Sequence, residues 1–333
     1  MEYRNLGRTG VKVSALCLGC LMFGTQARAM ESQFGNEIGE AASIRIIDRA
    51  IDAGINFLDT ANVYRRGTSE EIVGKALNRN GHRDTVVLAT KFTSSVADDP
   101  NARGGSRRHI VEQCNASLRR LQTDWIDLYQ VHHPQSDIPI DETLRALDDL
   151  IRTGKVRYIG GSNFAAWQLV ESVWIARELG VNRFVSEQPP YHLLDRRRER
   201  ELVPMAQTYG LALLPWSPLA SGFLSGKYQR GTQAPAGSRL SSKNESSERF
   251  YTDASFAVVD VLVEIAKNKG YTPSQVALAW CMRQPGITSP IIGPRTMEQL
   301  VENLGATEVT ITAEDRAALD AVAPPGGAVV PFH

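Results

Sequence analysis

Residues 126–163 form one complete strand–helix–strand repeat and read IDLYQVHHPQSDIPIDETLRALDDLIRTGKVRYIGGSN. The short apolar runs at 126–132 and 157–163 are typical of buried strands, whereas the apolar residues of 140–153 recur with the spacing of an amphipathic helix. Because a helix separates the two runs, the pattern predicts two parallel strands of an α/β fold.

The same alternation extends along the chain after a predicted hairpin at 3–13, which turns at Arg8-Thr9-Gly10. The predicted strands are 15–19, 56–59, 85–91, 126–132, 157–163, 183–188, 211–217 and 289–293. The predicted helices are 43–53, 69–78, 106–121, 140–153, 166–179, 196–209, 254–269 with 273–283, and 296–304. Eight such alternations predict one (β/α)8 TIM barrel domain over residues 1–333.

The alternative is a doubly wound sheet, which needs a phosphate turn such as G-x-G-x-x-G after its first strand. The sequence contains neither that turn nor a P-loop. The irregular segment 220–252 is followed by further strand–helix alternation, so we interpret it as a long loop on the C-terminal face of the barrel and not as a linker.

Charge and hydropathy exclude several classes of protein. Lysine plus arginine and aspartate plus glutamate both number 37, so no overall charge favours binding to nucleic acid or to an anionic membrane. No apolar run reaches the length of a membrane span, and the first residues lack a secretory signal, so we expect a cytoplasmic protein. The Cys17-Leu18-Gly19-Cys20 motif lies on a predicted strand, which favours a structural role over a redox role.

The predicted strands end in residues with acid–base chemistry. Asp59 ends the second run, Lys91 the third and His132 the fourth, and Tyr64 lies just beyond Asp59. Singly, each fits a structural role: a helix cap, a solvated strand end or a core histidine. In a barrel, however, all these strand ends lie on one rim. The pattern therefore predicts that the four residues converge in one site.

These residue types suit proton transfer beside a carbonyl or carbinol group. A neighbouring ammonium group is expected to lower the tyrosine pKa from its ordinary value of about 10. A histidine N–H could stabilise the same oxygen. The set contains no strong nucleophile, and no metal is expected, since adjacent His132 and His133 should lie on opposite faces of a strand. We expect His133 to be a surface residue and Trp167, Trp174 and Trp280 to pack against the barrel.

Several motifs together resemble those of the aldo-keto reductases over almost the whole chain. They are DTANVY at 59–64, ATK at 89–91, LYQVH at 128–132, GSNF at 161–164, WSPLASG at 216–222, GKY at 226–228, IGPRT at 292–296 and ENL at 302–304. In detail the chain is most similar to the bacterial branch related to potassium-channel β-subunits.

This resemblance implies an NADP(H)-dependent reductase of aldehydes or ketones, reversible toward alcohol oxidation. Hydride would come from C4 of the nicotinamide and the proton from Tyr64, with Lys91 and Asp59 tuning Tyr64 and His132 orienting the carbonyl. The resemblance implies cofactor contacts from Ser162, Asn163 and Gln188 to the carboxamide, from Trp216 to the nicotinamide, from Ser217, Leu219, Ser221, Gly222, Lys227 and Arg239 to the phosphates, and from Gly293, Arg295, Gln299, Glu302 and Asn303 to the adenosine end.

One departure from the family pattern concerns cofactor preference. Many members carry arginine at the position of Gln299, where a guanidinium group would hold the ribose 2′-phosphate, and glutamine cannot supply that charge. Arg295 is the remaining candidate, so we expect NADP(H) to be preferred over NAD(H).

Two other functions remain as alternatives. A redox-sensing module would bind NADP(H), work slowly and have a protein partner. His132 is evidence against it, because the resemblance implies a different residue at that position in the channel β-subunits. A barrel lyase or isomerase would bind no nicotinamide cofactor. In the leading interpretation the partner is a small carbonyl or alcohol substrate, whose identity the sequence does not specify.

Overall fold

The computed structural model describes residues 1–25, 38–241 and 248–331. Within these ranges, a two-stranded hairpin and an eight-stranded parallel sheet are present. The strands are β1 (Tyr3–Asn5), β2 (Lys12–Ser14), β3 (Cys17–Gly19), β4 (Phe57–Asp59), β5 (Val87–Phe92), β6 (Ile126–Val131), β7 (Val156–Ser162), β8 (Ser186–Gln188), β9 (Ala212–Leu213) and β10 (Ile291–Ile292).

The strand order is that of a barrel. β1 and β2 pair antiparallel, and the parallel sheet runs β10-β3-β4-β5-β6-β7-β8-β9. The last gap is bridged beyond β9, where the backbone N–H of Ile291 donates to the carbonyl of Pro215 at 2.8 Å. The predicted (β/α)8 barrel with its N-terminal hairpin is therefore confirmed.

Helices cover the outside of the sheet in the described part of the chain. They are α1 (Glu40–Asp52), α2 (Thr68–Arg79), α3 (Arg107–Leu121), α4 (Ile140–Arg152), α5 (Ala166–Leu179), α6 (Leu202–Tyr209), α7 (Asp253–Lys269), α8 (Pro273–Met282), α9 (Met297–Leu304) and α10 (Ala313–Val322). Local sequence explains several boundaries: Ser106 caps α3 by accepting from the His109 N–H, and α5 ends at the left-handed Gly180.

One helix prediction was wrong at its start, and one helix was missed. The helix predicted from residue 196 begins only at Leu202, because the preceding residues Arg197–Glu199 form a separate 3₁₀ turn. Helix α10 was not predicted, although Thr312 and Asp315 form a capping box at its start.

An apolar cluster fills the lower barrel interior beneath the polar rim. Its fully or nearly fully buried members are Leu6, Val13, Cys17, Phe57, Val87, Ala89, Leu128, Ala212 and Leu214. Cys17 belongs to this cluster, and burial raises the pKa values of both Cys17 and Cys20, which supports the structural role expected for this pair.

The tryptophans behave differently from the prediction. Trp280 is fully buried, as expected, but Trp167 and Trp174 on α5 are 65% and 52% exposed. The helical pattern alone did not identify which face of α5 is turned to solvent. In the described ranges, no helix is both long enough and apolar enough to cross a membrane.

Candidate active site

The ends of β4 and β5 bring three of the predicted residues into one hydrogen-bonded chain. Asp59 is the last residue of β4, and Lys91 lies inside β5, where both side chains are buried. The Lys91 ammonium group donates to the Asp59 carboxylate, to the Thr60 carbonyl at 2.9 Å and to the Tyr64 hydroxyl at 3.1 Å. All three donor positions of the ammonium group are thereby used.

The pKa of Tyr64 differs from the sequence-based expectation. Burial raises the pKa of the phenol and outweighs the lowering effect of Lys91, and Asp59 raises it further. The expected lowering effect of Lys91 is present, but the net shift is upward, because the sequence could not show how deeply the hydroxyl lies. A raised pKa keeps the phenol protonated near neutral pH, as a proton donor requires.

Lys91 is held in its charged form. Its burial lowers the pKa, but the Asp59 charge, the Tyr64 hydroxyl and the hydrogen bonds to both outweigh burial, so the net pKa is raised. Lys91 therefore serves here as a fixed positive charge beside the Tyr64 oxygen.

The second oxygen of Asp59 is hydrogen-bonded by two glutamine side chains. Its Oδ2 accepts from the side-chain amides of Gln130 at 3.0 Å and Gln188 at 2.9 Å. Gln188 had been predicted only as a cofactor contact, and Gln130 had not been singled out. The available signal was alternation within β6, which turns Gln130 to the same face as Leu128 and so toward the barrel interior.

His132 completes the group of four. Its ring lies edge-on to the Tyr64 ring, with centroids 5.7 Å apart, and its Nδ1 is 3.5 Å from the Ser94 hydroxyl. Burial, Lys91 and His133 together hold the His132 pKa well below its ordinary value. The ring is therefore neutral near pH 7 and carries one N–H that can donate to a substrate oxygen.

The expected separation of the two neighbouring histidines was wrong. The rings of His132 and His133 stack with centroids 4.6 Å apart and planes 7° from parallel. The alternation rule fails here because β6 ends at Val131, so neither histidine lies on the strand. His133 is exposed, as predicted, yet one face of its ring packs against the His132 ring. The described residues contain no group of three or more His, Cys, Asp or Glu side chains placed to hold a metal.

The lowered pKa of His132 leads to a prediction for how kcat/KM depends on pH below neutrality. An ordinary histidine would become protonated as the pH falls through about 6.5, whereas His132 should stay neutral through that range. We therefore expect kcat/KM for carbonyl reduction to show no loss with a midpoint near pH 6.5. A loss at that pH in the natural protein, absent in a His132→Gln variant, would contradict this expectation.

Asn163 connects three strand ends beside this group. It follows β7 with a left-handed φ of 64°, and its side-chain amide nitrogen donates to the His132 carbonyl and to the Ser162 hydroxyl, both at 3.0 Å. Its amide oxygen accepts from Trp216 Nε1 at 3.1 Å. The predicted carboxamide and nicotinamide contacts Ser162, Asn163, Gln188 and Trp216 therefore lie in one hydrogen-bonded neighbourhood with the proton-transfer residues.

The loop after β9 has the backbone shape of an anion-binding turn. Ser217, Ala220, Ser221 and Gly222 all have positive φ values, and Ser217 Oγ accepts from the Ser221 N–H at 3.0 Å. A Cβ atom at Gly222 would lie 3.1 Å from Lys227 Nζ, so glycine leaves room for that ammonium group. Backbone N–H groups in such turns favour anions.

Three cations lie close enough beside this loop to influence one another. Burial, Arg295 and Arg239 lower the pKa of Lys227, and burial together with Arg295 lowers that of Arg239 to about 10. Mutual repulsion of this kind would be relieved by a bound polyanion. Of the residues predicted to contact the cofactor phosphates, Lys227 and Arg239 belong to this cluster, and Ser217, Leu219, Ser221 and Gly222 lie in the neighbouring loop.

The predicted adenosine contacts lie along α9 and in the turn before it. Gln299 Oε1 accepts from the Arg295 backbone N–H at 2.8 Å, and Arg295 donates to the Gly237 carbonyl at 3.2 Å. Glu302 accepts from Thr272 Oγ1 at 2.7 Å, and Asn303 is buried nearby on the same helix. Gln299 therefore positions the turn that carries Arg295, and Gly293 begins that turn.

Comparison with known proteins gives concordant matches. A family model described as the aldo/keto reductase family matches residues 15–324. An uncharacterized oxidoreductase of Bacillus subtilis, YrpG, is 40% identical, and the match covers 98% of each chain. A probable voltage-gated potassium channel subunit beta of Oryza sativa is 38% identical over 93% of this chain and 92% of the relative. A versiconal hemiacetal acetate reductase of Aspergillus parasiticus is 36% identical over 95% of both.

Proposed function

Because this chain belongs to the aldo/keto reductase family, we propose that it is an NADPH-dependent reductase that converts an aldehyde or ketone to the alcohol, with Tyr64 as the proton donor. The family and the relatives that carry reductase or oxidoreductase names support an oxidoreductase that acts on small carbonyl compounds. The cofactor preference and the residue roles are the finer parts of the proposal.

The hydrogen-bonded chain from Asp59 through Lys91 to Tyr64 is the observation that carries the proposal. The nicotinamide supplies the hydride when it is bound. Tyr64 donates the phenolic proton to the carbonyl oxygen, and the Lys91 charge stabilises the phenolate that results. Asp59, held by two glutamine amides, keeps Lys91 in place. The neutral His132 N–H stabilises the same substrate oxygen.

The proposal is tested by titrating the purified protein with NADPH and with NADH, while following tryptophan fluorescence, and then adding a panel of aldehydes and ketones. Carbonyl-dependent loss of NADPH absorbance over many turnovers supports the reductase. Binding without turnover on any carbonyl contradicts it and favours a redox-sensing module with a protein partner, which the relatives named as channel subunits make the second candidate. Binding of neither cofactor contradicts both.

Cofactor preference is tested at Arg295. We expect Arg295→Gln to weaken NADPH binding about tenfold and to leave NADH binding nearly unchanged, since a hydrogen bond between charged groups would be lost only with the 2′-phosphate. Arg49→Gln, at an exposed arginine in the last turn of α1, is the matched control and should change neither affinity. Equal weakening of NADPH and NADH binding would instead indicate that Arg295 contacts a part of the cofactor that both molecules share.

A further inference from the structure

Glu187 is a buried carboxyl group for which the proton-transfer scheme has no use. It lies in the middle of β8, beside Gln188, with no exposed surface. Strand alternation turns its side chain away from the barrel interior, opposite to that of Gln188. A fully buried carboxyl group costs stability unless hydrogen bonds compensate it, so its position requires an explanation.

The Glu187 side chain reaches the turn that follows β7. Its Oε1 accepts from the backbone N–H of Phe164 at 3.0 Å, and the backbone N–H of Asn163 also favours its ionised form. Among the described residues, Oε2 has no hydrogen-bond partner. The carboxyl group therefore acts as a buried acceptor beneath residues 163 and 164.

Gly161 provides the space for this carboxyl group. Gly161 and Glu187 are paired across β7 and β8, and a Cβ atom at 161 would lie 2.8 Å from Glu187 Oε2 and 3.0 Å from the Phe164 ring. Contacts that short force a neighbour to move. The glycine, the carboxyl group and the aromatic ring therefore form one closely packed unit under the turn.

The turn held in this way carries Asn163, whose left-handed backbone is uncommon for a residue other than glycine. The Asn163 side chain in turn contacts the His132 carbonyl and the Trp216 indole N–H. A shift of the 163–164 backbone would therefore move the contact between the end of β6 and the segment after β9. Local strain of this kind persists only where surrounding contacts hold it in place.

We propose that Glu187 is a positioning residue, which fixes the 162–164 turn so that Asn163 presents its amide to the nicotinamide end of the cofactor. The inference rests on the proposed function, because it requires a nicotinamide cofactor. Glu187 acts through the backbone of Phe164 and Asn163 and does not touch the reacting atoms.

The protonation state of Glu187 is compatible with this role. Burial raises its pKa to about 8, against the lowering effects of the Phe164 N–H, of Arg198 and of the Asn163 N–H. An acceptor oxygen toward Phe164 remains in either protonation state. Glutamine, which also offers an acceptor oxygen of the same reach, should therefore replace glutamate, whereas leucine should not.

The experiment compares Glu187→Leu with Glu187→Gln by measuring Kd for NADPH and for 2′,5′-ADP, a fragment that lacks the nicotinamide. We expect Glu187→Leu to weaken NADPH binding about tenfold or more, since a buried N–H loses its acceptor, while binding of the fragment stays unchanged. Glu187→Gln should bind both like the natural protein. NADPH binding unchanged by Glu187→Leu, or NADPH and fragment weakened equally, would overturn the positioning role.

A second variant tests the inference even if Glu187→Leu does not fold. Gly161→Ala keeps the carboxyl group but displaces it, so it should produce the same selective loss of NADPH affinity. A Gly161→Ala variant that folds and binds NADPH normally would also overturn the inference. Failure of the proposed function is recognised separately, because then the natural protein itself binds neither NADPH nor the fragment.

Discussion

Replacing Tyr64 with phenylalanine is expected to lower carbonyl turnover by ~10²–10⁴-fold, the range that general acid catalysis supplies. The change removes the hydroxyl group that passes the proton in the proposed step and leaves the ring in place. Because the Tyr64 hydroxyl is bonded to Lys91 and lies outside the predicted phosphate and adenosine contacts, NADPH affinity should change little. Steady-state turnover and NADPH titration on the same preparation measure both quantities.

A matched control for this variant is Tyr129→Phe. Tyr129 is also a buried tyrosine, on β6, and within the described part of the chain its hydroxyl makes a single 3.5 Å hydrogen bond, to the Ile110 carbonyl. We expect the control to keep turnover within about twofold, since a weak neutral hydrogen bond contributes little. Near-normal turnover in Tyr64→Phe, or an equal loss in both variants, would remove the proton-donor role from Tyr64.

The second large effect is expected at Lys91. Lys91→Met leaves the Asp59 carboxylate buried without its countercharge, and breaking a buried ion pair in this way typically costs about 3–5 kcal/mol in the free energy of unfolding. We expect the lower end of that range, because the amides of Gln130 and Gln188 still bond the carboxylate. Turnover should fall at least ~10²-fold, as when a group that stabilises developing charge is removed.

The double variant Asp59→Asn with Lys91→Met separates stability from catalysis. Removing both charges leaves no buried carboxylate without a countercharge. The free energy of unfolding, measured by urea denaturation, should therefore recover most of the loss seen in Lys91→Met, whereas turnover should stay low. If the single variant were as stable as the double variant, the buried pair would not be the source of the instability. If the double variant recovered turnover, Lys91 would have no part in the reaction.

The sequence alone was sufficient for the barrel and for the residues on its rim. Strand-like runs alternate with helical ones eight times, and without the phosphate turn of a doubly wound sheet this alternation favours a closed barrel. Because strand ends in a barrel share one rim, Asp59, Lys91 and His132 could be placed together before any contact was known. The motifs around them then supplied the resemblance to the reductase family.

Only the tertiary structure determined the electrostatics of the site. The Tyr64 pKa rises because burial outweighs Lys91, and the extent of burial depends on loops that no local pattern places. The amides that hydrogen-bond Asp59 come from distant parts of the chain: Gln130 is 71 positions from Asp59 in the sequence, and Gln188 is 129 positions away. His132 and His133 stack because β6 ends one residue earlier than its apolar run suggested. Periodicity reports which way a side chain faces within its own element, whereas burial, pairing and charge depend on what the rest of the chain brings against it.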